Sequence, residues 1–366
     1  MRYKDFKGNH ISTLGLGGLR FPMEKDNPNR IDRVEAQKVI DAAISCGINY
    51  FDTAYSYQNG DSERFLGEAL SKYPRDSYYL ATKFYVACST DIEAVFEEQL
   101  KRCNVDYFDF YLFHCLDEGT IGAYTDPNRD YLGYLLKQKE AGRIKNIGFS
   151  SHALPETLER FLNFYDQFDM ALIQLNYLDW TLLNAKRQYE ILTAHGIPAW
   201  VMEPMKGGRL STLNESAVSI LKSVSPERSV SSWGFRFLQG LPNVQTVLSG
   251  MSTVEQVMDN AKTFEKFDPL SEAEEKALND AADVFIKDLG VPCSACRYCC
   301  DTCPSGLDIP LLIQGYNEKN ISGSTWKIGN LAGAKSASEC IGCGTCLSRC
   351  PQKINIPEIM QKIANT

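Results

Sequence analysis

The segment from 48 to 114 holds three apolar runs, INYFDT (48–53), YYLATK (78–83) and FDFYLFH (108–114), spaced by amphipathic stretches of helical length at 62–72 and 91–103. Each run is apolar nearly throughout, the pattern of a parallel strand buried on both faces. The alternation extends both ways. TLGLGGL (13–19) precedes it, and NIGFS (146–150), LIQLNY (172–177), PAWVMEP (198–204) and VQTVLSG (244–250) follow. Helical patterns at 33–46, 130–141, 154–165, 184–195, 227–239 and 254–264 fill the other intervals, several closed by a glycine such as Gly47, Gly142, Gly196 or Gly240. Eight strand-then-helix units in roughly 250 residues predict a closed (β/α)8 TIM barrel. An open doubly wound sheet is the lesser alternative, because LGLGGL (14–19) has the glycines of a dinucleotide turn but opens no helix. The prelude YKDFKGNHIS (3–12) has the length of a small hairpin closing the barrel floor. After the barrel comes a charged helix at 271–290, with Ser271 and Glu274 spaced for a capping box.

The chain has 366 residues, and 38 Lys+Arg against 46 Asp+Glu leave a net charge of −8. That balance argues against nucleic acid or anionic lipid as the main partner, since both require a cationic face. MRYKDFKGNH (1–10) lacks the apolar stretch of a signal peptide. No window approaches the ~18 apolar residues of a membrane span. The expected location is therefore cytoplasmic.

Thirteen cysteines are present, nine of them between Cys293 and Cys350. Clustered cysteines in a cytosolic chain point to metal rather than disulfides. Cys293, Cys296, Cys299 and Cys303 precede Pro304, and Cys340, Cys343, Cys346 and Cys350 precede Pro351. Both sets read C-x2-C-x2-C-x3-C-P, the spacing of bacterial-type [4Fe–4S] ligation. Every ligand repeats at an offset of 47 (340 − 293), and PSGLDIPLLIQ (304–314) aligns with PQKINIPEIMQ (351–361) at the same offset. Asp308 and Asn355 are thus expected to cap helices that begin with Ile-Pro. Zinc is the competing occupant, but it does not explain two four-member sets each closed by proline. Cys300 falls outside the pattern. The tail resembles two-cluster ferredoxins, and the 36 residues between motifs (304–339) bring it nearer their α-helical variety. That resemblance implies exchanged fourth ligands: Cys293, Cys296 and Cys299 with Cys350, and Cys340, Cys343 and Cys346 with Cys303. The chain accordingly divides into a barrel at 1–285 and a small, mainly helical dicluster domain at 286–366.

Four polar residues sit at or just past strand ends: Asp52, Tyr57, Lys83 and His114. The C-terminal strand ends of such a barrel carry its active site. The four make a coherent set. A phenol with a pKa near ~10 is a weak acid at neutral pH. A buried lysine beside it is expected to lower that value, a carboxylate to hold the lysine, and an imidazole to orient a carbonyl oxygen.

GINYFDTAYSYQNGDSERFLGEAL (47–70), with ATK (81–83) and LFH (112–114), resembles the aldo-keto reductases over residues 1–285. The resemblance implies catalytic roles for Asp52, Tyr57, Lys83 and His114, a nicotinamide cofactor, and a small carbonyl or alcohol substrate. It places nicotinamide contacts at Ser150, Ser151 and Gln174, with serine where the family has asparagine. A diphosphate loop falls on Lys206, Gly207, Gly208 and Arg209, and an adenosine site on Gly250, Ser252, Gln256 and Asn260. NADP-specific members carry a basic residue at the position of Gln256 and usually another near Gly250, and neither is present here. The cofactor therefore stays open between NAD and NADP, with a flavin admitted although no flavin motif is evident.

The two halves move electrons differently. A nicotinamide delivers two as hydride, and a [4Fe–4S] cluster passes one. The expected function is a carbonyl–alcohol oxidoreductase whose clusters connect it to a redox partner protein. Two other readings are a reductase with purely structural clusters, and an electron-transfer protein whose barrel is a docking or sensing module.

Overall fold

The computed structural model describes residues 1–291, 293, 299–300, 302–322, 335–350 and 354–365; Cys296 and the 351–353 end of the second motif lie outside the described residues. Eight parallel strands close a barrel in chain order: β1 (Leu14–Gly17), β2 (Tyr50–Asp52), β3 (Tyr79–Phe84), β4 (Phe108–Leu116), β5 (Ile144–Ser151), β6 (Met170–Gln174), β7 (Ala199–Met202) and β8 (Val244–Ser249). The TIM barrel anticipated from the alternation is the fold. The run 172–177 leaves the sheet after Gln174, so β6 is shifted toward its N-terminal side.

The prelude is an antiparallel hairpin, Tyr3–Phe6 against Asn9–Ser12. Its tip, Lys7 and Gly8, has φ of 53° and 82°, the left-handed pair that matches strand twist in a two-residue turn. Phe6 and Ile11 enter the barrel interior and pack with Tyr50, Phe110, Met170 and Trp200. The Phe6 and Trp200 rings meet edge-on at 5.1 Å. An apolar plug thus fills one end of the barrel and leaves polar chemistry to the other.

Among the described residues the helices of more than two turns are α1 (Arg33–Ser45), α2 (Asp61–Leu70), α3 (Ile92–Cys103), α4 (Tyr131–Glu140), α5 (Pro155–Phe164), α6 (Ala185–Ala194), α7 (Glu215–Val224), α8 (Val230–Gln239), α9 (Val254–Thr263), α10 (Glu272–Leu289), α11 (Ile309–Ser322) and α12 (Ile356–Ala364). Side-chain caps set several starts: Asp32 accepts from Val34 and Glu35 N–H, Asp91 from Ala94, and Thr253 from Gln256. Ser271 and Glu274 form the full capping box on α10. The sequence reading did not anticipate α7, although Asn214 caps it through Ala217 N–H at 2.8 Å.

The chain forms two compact units. The first comprises Met1–Leu175, Arg187–Pro204 and Phe235–Pro269, and holds all eight strands; the second comprises Asn176–Lys186, Met205–Gly234 and Leu270–Thr366. In the second unit α11 and α12 pack together over an apolar cluster that includes Leu307, Ile313, Ile356 and Met360. Their starts, 309 and 356, keep the offset of 47. Asp308 caps α11 through Leu311 N–H at 3.3 Å. Asn355 does not cap α12 in the same way: its amide donates to Glu358 Oε2 at 2.9 Å instead. Among the described residues no helix is long and apolar enough to cross a membrane.

Candidate active site and candidate iron–sulfur centre

Asp52 ends β2 and Lys83 lies near the end of β3; Asp52 is in register with Ala81 on that strand. Lys83 Nζ donates to Asp52 Oδ1 at 2.6 Å and to the Thr53 carbonyl at 2.6 Å, and the lysine is fully buried. Burial works against its charge, but the Asp52 carboxylate and the Tyr57 phenol beside it hold the ammonium above the ordinary lysine value. Nζ lies 5.0 Å from the centre of the Tyr57 ring.

Tyr57 opens a turn whose next three residues, Gln58, Asn59 and Gly60, have φ of 46°, 53° and 83°. Left-handed Gln58 and Asn59 are strained backbone, held by what surrounds them, whereas Gly60 adopts this region freely. Arg102 occupies the space beside Gly60, where an added Cβ would lie 2.4 Å from its guanidinium. The turn projects the phenol over Lys83.

His114 lies in β4 where the pairing with β5 shifts register, between Phe113 and Leu116. The next residue, Cys115, has φ of 57°. This bulge turns the imidazole toward Tyr57, with ring centres 5.9 Å apart and planes at 77°. The bulge is pinned: Tyr124 Oη donates to the His114 carbonyl at 2.6 Å, and Cys115 N–H to Ser150 Oγ at 2.8 Å. Burial, the Lys83 charge and His152 push the imidazole well below the ordinary histidine value, so the ring is neutral at pH 7.

The expectation of an acidified phenol is corrected here. Burial raises Tyr57 above its ordinary value of 10.0, and the pull of Lys83 opposes this without overcoming it. At rest the phenol is fully protonated.

Among the described residues, two buried polar atoms beside this group have no hydrogen-bond partner, Asp52 Oδ2 and His114 Nδ1. Orphaned polar atoms are rare in protein interiors and mark a site made for polar company. At neighbouring strand ends, Ser151 Oγ accepts from Ala153 N–H at 3.1 Å and Gln174 Oε1 meets His152 Nδ1 at 3.2 Å. The residue chemistry fits a bound nicotinamide, with the hydroxyls of Ser150 and Ser151 and the amide of Gln174 buried at these strand ends. Sequence reasoning gave no role to His152 or to Tyr85, whose ring is 5.1 Å from His114. Their signals were adjacency alone: one follows the serine pair, the other lies two residues past Lys83.

Gly250, Ser252, Gln256 and Asn260 cluster where β8 passes into α9. Gln256 Oε1 accepts from Ser252 N–H at 2.7 Å, and Asn260 Nδ2 donates to Ser249 Oγ at 3.2 Å. Lys206, Gly207, Gly208 and Arg209 belong to the second unit. There Lys206 is buried between Asp179, at 2.9 Å, and Glu318 of α11, at 2.8 Å. Burial disfavours its charge, and the two carboxylates outweigh that and raise it. Arg209 donates to the Asn320 carbonyl at 3.1 Å.

Also in the second unit, Cys303, Cys340, Cys343 and Cys346 line one cavity together with apolar residues that include Leu307, Ile309 and Ile356. Four thiols around a shared apolar cavity fit a polynuclear iron–sulfur group. Among the described residues, no three His, Cys, Asp or Glu side chains converge on a point that would hold a single metal ion. Cys293, Cys299, Cys300 and Cys350 pack against the same apolar cluster.

Residues 13–283 match the family described as "Aldo/keto reductase family", and residues 292–354 match a "4Fe-4S dicluster domain". The chain belongs to the aldo/keto reductase family and is an oxidoreductase that also carries an iron–sulfur dicluster domain. It is 26% identical over 296 residues to an uncharacterized oxidoreductase of Bacillus subtilis, covering 73% of this chain and 92% of that one. It is 30% identical over 186 residues to a probable aldo-keto reductase of Glycine max, a match spanning 48% of this chain and only 50% of the relative. The holo form of an aldo-keto reductase from Bacillus halodurans superimposes with a TM-score of 0.63 at 25% identity, over 77% of this chain and 96% of that one.

Proposed function

We propose that the barrel, residues 1–285, interconverts a small carbonyl and its alcohol with a nicotinamide cofactor, and that residues 286–366 hold two [4Fe–4S] clusters. The observation that carries the first part is Lys83, buried, charged and 2.6 Å from Asp52 with the Tyr57 phenol above it. In the reducing direction Tyr57 donates its proton to the carbonyl oxygen as negative charge gathers there. The Lys83 ammonium stabilises the resulting phenolate, and Asp52 keeps that ammonium in place. The neutral His114 ring hydrogen-bonds the same oxygen and selects one face of the carbonyl. Bound nicotinamide supplies or accepts the hydride equivalent.

The cavity shared by Cys303 with Cys340, Cys343 and Cys346 supports the exchanged ligand sets. We read the clusters as a path for single electrons to or from a partner protein. Exchange between pairs and single electrons requires a carrier able to do both, such as a flavin.

The test is turnover of small aldehydes and ketones with NADH and NADPH by anaerobically purified full-length protein. Tyr57→Phe lowers kcat by roughly 10²–10⁴ and leaves the dissociation constant for the dinucleotide nearly unchanged. A fully active Tyr57→Phe variant refutes the assignment.

A further inference from the structure

The resemblance left the adenosine site without a cation, and the fold brings one to it from the far end of the chain. The turn Gly18–Arg20 follows β1, and each of its three carbonyls accepts a side-chain hydrogen bond. Ser62 Oγ donates to Gly18 O at 3.0 Å, Gln58 Nε2 to Leu19 O at 2.7 Å, and Ser252 Oγ to Arg20 O at 2.6 Å. The first two donors belong to the segment that presents Tyr57. The third belongs to the β8–α9 loop. Arg20 is therefore fixed between the candidate catalytic turn and residues 250–252.

Its stem occupies the space beside residue 250. A Cβ added to Gly250 would lie 2.7 Å from Arg20 Cγ and 2.9 Å from Arg20 Cβ. A side chain at 250 would displace the arginine, so the placement of Arg20 depends on glycine at 250. Arg20 is exposed, and among the described residues it forms no ion pair. A guanidinium that is not neutralised, mounted on braced backbone, is preorganised for a phosphate, which it can bind through two parallel hydrogen bonds.

We propose that Arg20 is the specificity-determining residue of the dinucleotide site, binding the 2′-phosphate of NADP in place of the absent basic residues near 250 and 256. The proposal rests on the nicotinamide reading given above and settles the choice that reading leaves open. The site prefers NADPH to NADH, and because Arg20 is exposed the preference is screened by salt.

Titration of the full-length protein with NADPH and with NADH, followed by calorimetry at low and high ionic strength, tests this. Wild type binds NADPH more tightly, with an advantage that shrinks in high salt. Arg20→Gln raises the NADPH dissociation constant about tenfold or more relative to that of NADH. Arg20→Lys recovers part of the loss, and matched urea midpoints show that both variants fold. Equal weakening toward both dinucleotides places Arg20 on the shared diphosphate and overturns the proposal. So does an unchanged ratio, or a wild type indifferent to the 2′-phosphate. A wild type that binds neither dinucleotide refutes the nicotinamide reading itself, an outcome distinct from the other three.

Discussion

On Tyr57 two forces act in opposite directions on one proton. Burial raises the phenol and the Lys83 charge lowers it, and burial prevails. For the proposed mechanism the consequence is a phenol that keeps its proton at neutral pH, with an ammonium 5.0 Å from the ring to stabilise the developing charge. His114 presents the reverse case. Its folded-state pKa is well below 6.5. The unfolded chain takes a proton at this residue as pH falls below 6.5, and the folded chain does not. Stability from this group is thus complete above that value and lost as pH falls below it. Urea midpoints measured from neutral pH down to about 5 should fall more steeply for wild type than for His114→Gln. Parallel curves would show that the ring takes up a proton in the folded state.

Behind the site, α2 and α3 hold β3 in place through a buried polar network. Glu63 is fully buried and accepts from Thr82 Oγ1 at 2.6 Å, Gln99 Nε2 at 2.7 Å and Arg102 at 3.0 Å. Gln99 also donates to the Lys83 carbonyl at 3.0 Å and accepts from Tyr111 Oη at 2.6 Å. The backbone of the candidate catalytic lysine is therefore anchored from a helix. Breaking such a network by removing one charged partner is expensive, because the other charge stays buried. Arg102→Ala should cost about 3–5 kcal/mol in urea unfolding. Glu63→Gln combined with Arg102→Ala should cost less than Arg102→Ala alone, since the orphaned carboxylate is gone. A small effect of Arg102→Ala would mean that Glu63 takes up a proton at little cost.

At the scale of the whole molecule, the tail joins its two motifs into one body. Cys303 comes from the first motif and lines the cavity of the second. Anaerobic protein should contain about eight irons and eight sulfides. Cys303→Ala should take the iron content toward four and remove the spectroscopic signature of one cluster, with Cys340, Cys343 and Cys346 intact. An unchanged iron content would exclude the exchanged ligation.

The barrel, the gathering of Asp52, Tyr57, Lys83 and His114, and the paired cysteine motifs were legible in the sequence because each is written in local spacing: apolar runs, strand-end positions, and cysteines three residues apart. Capping was legible for Ser271 and Asp308 but not for Asn355, whose amide found a closer partner in Glu358. What only the tertiary structure decided depends on residues distant in the chain. The direction of the Tyr57 shift depends on how much solvent the surrounding strands exclude. The placing of Lys206 between Asp179 and Glu318 depends on segments more than one hundred residues apart. The meeting of Arg20 with Gly250 depends on barrel closure, which hydrogen-bonds the first strand to the last. Side-chain spacing records what a local segment becomes, whereas burial and charge at a point are sums over everything folded around it.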